Sequence, residues 1–313
     1  LNSARFRASG FGADNTSAIC IGGSLGPAVT ANTESWNGTN WTEVNNLNTA
    51  REDSAGAGIS TAGLAFGGAT PTITAATEEW NGTNWVEVAD LATARKELAG
   101  TGTSTNALAF GGEAPPQTAA TEEWEGAGAP AGVWSTGNNM NTARGTMGSN
   151  GTSTSAIGYG GGAGVANTET WNGTNWTEVN DLNTGRNQLS GAGTNNTNAL
   201  AISGASPGGI KAEVESYNGT NWTEVSNVGS ARYLTGSAGI SNTASLVFGG
   251  FNNPTGGNKN LTESWNGSNW TEVSDLNTAR NGLGGAGSST AALGFGGAVS
   301  PNGQTELWNG SNW

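Results

Sequence analysis

Two residue types recur at fixed spacing with side chains capable of chemistry. A glutamate stands two residues before an aromatic at Glu34, Glu78, Glu122, Glu169, Glu215, Glu263 and Glu306. An arginine recurs at Arg5, Arg51, Arg95, Arg144, Arg186, Arg232 and Arg280. Paired carboxylates can act as general acid and base on a glycosidic bond, and a guanidinium can clamp a carboxylate through two parallel donors. A single catalytic centre needs asymmetry, however, and these groups come in seven matched copies. The architectural reading is therefore preferred: if the first and third strands of each unit start at one face, each Arg meets a Glu. The pairs would then form a ring binding unit to unit. A second series, Glu43, Glu87, Glu178, Glu224 and Glu272, is missing from the third unit and reads as a solvated outer face.

What the chain lacks excludes more. There is no His and a single Cys. The commonest general base and metal ligand is thus absent, and neither a Cys–His pair nor a zinc site can be assembled. Cys20 sits in the apolar run Ala18-Ile19-Cys20-Ile21 and is expected to be a small core residue. The net charge is −13 with three Lys, a poor match for nucleic acid or an anionic membrane. No apolar run spans a bilayer and no signal peptide is visible. The chain starts at Leu1 rather than Met, as expected of a processed chain or a segment of a longer one. No motif implies a cofactor, and the expectation is a non-enzyme.

The elements that must position these groups are set by one repeated stretch, Thr33-Glu34-Ser35-Trp36-Asn37-Gly38-Thr39-Asn40-Trp41. Its leading aromatics, Trp36, Trp80, Trp124, Trp171, Tyr217, Trp265 and Trp308, follow one another at steps of 44, 44, 47, 46, 48 and 43. A fixed period in this range means a repeat architecture. Within one unit, residues 54–59 read as a small-residue strand, 63–66 as an apolar strand, 77–80 as a third and 85–88 as a fourth. Asn-Gly between the last two is a hairpin signal. The same letters match the glycosylation sequon at Asn37, Asn81, Asn172, Asn218, Asn266 and Asn309, but a tight turn explains them equally. First strands made of Gly, Ala, Ser and Thr fit a crowded axis, and Trp-bearing strands fit the wider periphery, as in the blades of a propeller.

A double Gly closing the second strand, an aromatic pair and an Arg before the next unit resemble the kelch repeat. Gly-Gly stands at 22–23, 67–68, 111–112, 160–161, 249–250 and 296–297, with Ser203-Gly204 as the departure. The Trp-Asp and Gly-His pairs of WD40 blades are absent. Kelch units usually place about six residues between the aromatics, against the four of Asn-Gly-Thr-Asn here. The wording Trp-Asn-Gly-Thr-Asn-Trp, Leu-Asn-Thr-Ala-Arg and Ala-Leu-Ala-Phe-Gly-Gly also resembles kelch-like proteins of marine tailed phages. These resemblances imply an all-β, seven-bladed kelch-like β-propeller with four antiparallel strands per blade, spanning 1–313 as one unit. The ring would close between 305–313 and 1–5, with the fourth strand of the last blade nearly missing. Copper oxidases on kelch-like propellers use His ligands, which this chain lacks.

Binding is expected where the repeat is broken. The third unit has an enlarged hairpin at 125–133 beside Trp134. The sixth carries the longest loop, 251–261, with Phe251, Asn252, Asn253 and Lys259, and the fifth presents Lys211. Loops of this kind carry function on a rigid scaffold. The resulting expectation is a structural and adhesive virion or extracellular protein: a tail, fibre or decoration component. Its partners would be other virion or surface proteins, host glycans or further copies of itself. The alternative is a secreted lectin-like or kelch-type protein-binding module of a cellular organism.

Overall fold

The computed structural model describes residues 1–126, 132–253, 257–298 and 303–313. All regular structure among them is β, arranged as a seven-bladed propeller of antiparallel strands. In the first blade the strands Ser9–Asp14, Ser17–Ile21, Thr33–Trp36 and Trp41–Val44 pair in sequence order from axis to rim. Five more blades repeat this four-stranded sheet. The seventh has Gly284–Ser288, Ala291–Phe295 and Thr305–Trp308, followed by Trp313, whose ring packs 5.6 Å from that of Trp308.

First strands contact one another around the axis, and Gly284–Ser288 meets Ser9–Asp14 to close the ring. Only small side chains fit there: a Cβ on Gly191 would lie 1.9 Å from Tyr159 Oη. Polar side chains on these strands bridge to neighbouring blades, as when Ser237 Oγ donates to Gly191 O at 3.0 Å and Asn150 Nδ2 to Ala192 O at 3.1 Å. The apolar second strands, such as Ala62–Phe66, are buried between adjacent sheets and form the core. Cys20 belongs to it, fully buried, and burial pushes its thiol pKa up.

The two aromatics of each repeat do different work. The first ties its own blade together: Trp80 Nε1 donates to Ser60 O, in the turn between strands one and two, at 2.9 Å. The second reaches the blade before: Trp85 Nε1 donates to Thr33 Oγ1 at 3.1 Å. The two rings lie 5.3 Å apart and tilted, a favourable aromatic arrangement. The Asn-Gly turns close by side-chain bonds. Asn81 Oδ1 accepts from Thr83 N and Asn84 N, both at 2.9 Å, while Gly82 takes φ +91°. All six Asn-Gly turns repeat this, so turn formation accounts for those letters.

At ring closure, Leu1 N donates to Gly303 O at 2.5 Å and to Thr305 Oγ1 at 3.0 Å. Trp41 Nε1 reaches the same Thr305 Oγ1 at 2.7 Å, so the first and last blades are latched by the same Trp–Thr bond as five of the other six boundaries.

Candidate functional site

The recurring Arg and Glu side chains meet in every blade. Arg5–Glu34 is 2.8 Å, Arg95–Glu122 2.9 Å, Arg144–Glu169 2.7 Å, Arg186–Glu215 2.9 Å, Arg232–Glu263 2.9 Å and Arg280–Glu306 3.0 Å, and Arg51 pairs with Glu78. All seven arginines are fully buried. Burial pulls the guanidinium pKa down at Arg51, Arg95, Arg144, Arg186, Arg232 and Arg280, and the facing Glu opposes that shift. The expected mode of linkage needs correction. Each ion pair lies within one blade, because the Arg leads into the first strand of the blade whose third strand carries the Glu. What spans two blades is the arginine's main chain. Arg51 O accepts from Gly23 N at 2.8 Å and Arg51 N donates to Thr30 O at 3.2 Å, both in blade one, while its guanidinium enters blade two. The double Gly permits this approach: Gly67 has φ +64°, and a Cβ there would lie 2.6 Å from Arg95 O.

Two residues beyond each Arg, the chain turns sharply at the mouth of the central channel. Arg7, Asp53, Glu97, Thr146, Gln188 and Leu234 all have φ between +51° and +54°, and Gly282 has +60°. This left-handed conformation costs a non-glycine residue roughly 1–2 kcal/mol. The seven form a collar joined largely by main-chain bonds. Asp53 N donates to Arg7 O (3.1 Å), Glu97 N to Asp53 O (2.9 Å), Gln188 N to Thr146 O (3.1 Å), Leu234 N to Gln188 O (3.2 Å) and Gly282 N to Leu234 O (2.8 Å). The collar lines a pocket of about 800 Å³, with apolar Leu98, Met147 and Leu189 deeper in its wall. Side-chain chemistry is uneven around it. Arg7, Asp53 and Glu97 make one charged arc; Thr146, Gln188, Leu234 and Gly282 make a neutral one. Arg7 Nη1 lies 3.3 Å from Glu52 and 3.6 Å from Asp53. Burial raises the Asp53 pKa to about 6; Arg7 pulls it down, while Glu52 and Glu97 push it further up.

The binding residues expected from sequence do not converge. Trp134 occupies the ordinary second-aromatic position despite the insertion before it: its ring is 5.4 Å from Trp124 and its Nε1 donates to Thr77 Oγ1 at 3.0 Å. It is scaffold, held by the same inter-blade bond as its counterparts. The insertion tip, residues 127–131, lies outside the described residues, as do 254–256 of the sixth-blade loop and 299–302. Phe251 pairs with Asn258 in a short ribbon and packs edge-on against Tyr233 at 5.7 Å. Asn252 is buried, donating to Ala231 O at 2.6 Å, and Asn253 is exposed. Lys259 is half-buried, its main chain bonded to Gly250 O. Lys211 pairs with Glu213 at 3.5 Å in the neighbouring blade. The second Glu series is exposed throughout. Sequence reasoning passed over the collar because its seven residues share no side chain; the only signal was their constant offset from the Arg.

No family model matches this chain, and no curated protein matches it.

Proposed function

We propose that the chain is a non-enzymatic binding and structural module whose ligand sits on the collar at the channel mouth. One observation carries the reading: the seven blades keep the same buried Arg–Glu pair, yet present seven different residues at the strained collar position. A scaffold held constant around a variable, concave, partly charged surface is what a binding site requires. The likeness of the repeat wording to kelch-like proteins of marine tailed phages supports placement on a virion, as a tail, fibre or decoration component contacting host-surface glycans or other virion proteins. The low-charge surface rich in Asn, Thr, Ser and Gly suits such contacts through hydrogen bonds.

The test is a glycan and virion-protein binding screen run on three forms of the protein. Binding retained by Asn253→Ala but lost with Asp53→Ala and Gln188→Ala together supports the collar. Loss with Asn253→Ala alone moves the site to the sixth-blade loop. Turnover of any polysaccharide by the purified protein overturns the non-enzymatic reading.

A further inference from the structure

The pocket inside the collar is a cup. Its lining goes no deeper than Gly10, Gly56, Gly100 and Ser149, each the second residue of its first strand. A chain-like ligand therefore enters it by one end. The groups inside are mixed. Between blades five and six a hydroxyl is engaged across the boundary, Ser190 Oγ donating to Thr235 O at 2.9 Å. The hydroxyls of Ser9, Thr146 and Ser149 and the Gln188 carboxamide have no hydrogen-bond partner among the described residues, and the Glu97 carboxylate has no hydrogen-bond or ion-pair partner among them. Hydroxyls and a carboxamide both donate and accept, whereas a carboxylate only accepts. A polyhydroxylated ligand answers that set, because each of its hydroxyls can do either. The apolar wall of Leu98, Met147 and Leu189 suits the C–H face of a sugar ring.

The rim of the cup has one gap. Six collar positions carry a side chain; Gly282 carries none, and nothing among the described residues lies within 4 Å of a Cβ built there. At this blade the lining runs outward past the collar to Asn281 and Ala298, with Phe6 of blade one alongside; in the other five blades it stops at the collar. With the collar as the binding site, on which this rests, we propose that the cup holds the terminal residue of an oligosaccharide and that the rest of the chain leaves through the gap at Gly282. The next sugar then lies over Asn281 and beside Phe6. The Asn281 Nδ2 is engaged with Asn258 Oδ1 at 2.5 Å, which leaves its Oδ1 to accept from a sugar hydroxyl, and the Phe6 ring supplies apolar surface.

The chain has two methionines: Met147 lines the cup and Met140 lies in the core. Methyl-labelled methionine NMR therefore gives one reporter of the cup and one of the fold. The probes are the linear tetrasaccharides of glucose, galactose, mannose and N-acetylglucosamine, each beside its methyl monoglycoside. The expected result is a saturable shift of the Met147 methyl with at least one such pair, the tetrasaccharide binding more tightly. Gly282→Gln gives blade seven the side chain that blade five carries in the same backbone conformation, and so closes the gap. In that variant the ratio of tetrasaccharide to monoglycoside affinity should fall about tenfold, whereas Gln188→Ala should weaken both probes and keep the ratio. Gly282→Asn, a residue type that tolerates this backbone, takes its place should Met140 show the first variant misfolded. An unchanged ratio on closing the gap, with the Gln188→Ala loss still present, overturns the exit and leaves the collar standing. A Met147 signal that no saccharide moves overturns the sugar class. The collar itself falls only if Asp53→Ala and Gln188→Ala together weaken no partner found in the binding screen.

Discussion

At the residue scale, single departures from the repeat can be read against their sister blades. Six second-position Trp side chains donate to a Thr of the preceding blade, but Trp270 Nε1 is buried without a partner, because Val214 stands where the others have Thr. Val214→Thr should supply the acceptor in nearly the same volume and stabilise the fold by about 1 kcal/mol, read from denaturant midpoints. Asp53 gives a pH-dependent prediction. Its pKa is raised from 3.8 to about 6 by burial, so the folded protein holds this proton more tightly than the unfolded chain. Its contribution is most favourable below the unfolded value and is lost as pH rises through about 6. Asn tolerates the left-handed backbone there. Asp53→Asn should therefore equal the parent near pH 3.5 and exceed it by about 2–3 kcal/mol at pH 7, seen as a divergence of melting temperatures with pH. Identical profiles for the two proteins would refute the assignment.

At the element scale, six blades are four short strands and the seventh three among the described residues, with register fixed by the turns. The Asn-Gly hairpin between the two Trp strands is the most regular of these, with Gly82 at φ +91° and Asn81 accepting two main-chain donors. Gly82→Ala forces a Cβ into that conformation, 3.0 Å from Thr61 O, and should cost about 1–2 kcal/mol in thermal or chemical unfolding. This level was the most legible in the sequence. Asn-Gly marks a turn by local chemistry alone, and Gly-Ala-Gly strands announce a crowded axis. The partnership of Glu78 with Arg51 was legible because both residues recur once in every repeat, the Arg before the first strand and the Glu on the third, although which blade the pair would hold was not. Trp134 misled because an insertion in sequence looks like a displaced side chain, whereas strand pairing kept Trp134 opposite Trp124.

At the scale of the whole molecule, no blade buries its faces alone. Every second-position Trp packs at a blade boundary, and six of the seven buried Arg hang from one blade by the main-chain carbonyl and enter the next by the guanidinium. Damage to one blade should therefore be felt by all. Glu169→Gln strips the buried Arg144 of its counter-charge and should cost about 3–5 kcal/mol. The loss should appear as a common shift of the tryptophan fluorescence and far-UV circular dichroism midpoints. A separate early phase for one signal would mean that the blades unfold independently. The collar has a consequence for descent as well as for binding. Its residues are anchored through main-chain atoms, so exchanging one side chain for another leaves the hydrogen bonds that hold the ring intact. Mutation can therefore rewrite what the mouth recognises one position at a time while the core is inherited unchanged, and lineages of this protein are expected to diverge in specificity long before they diverge in fold.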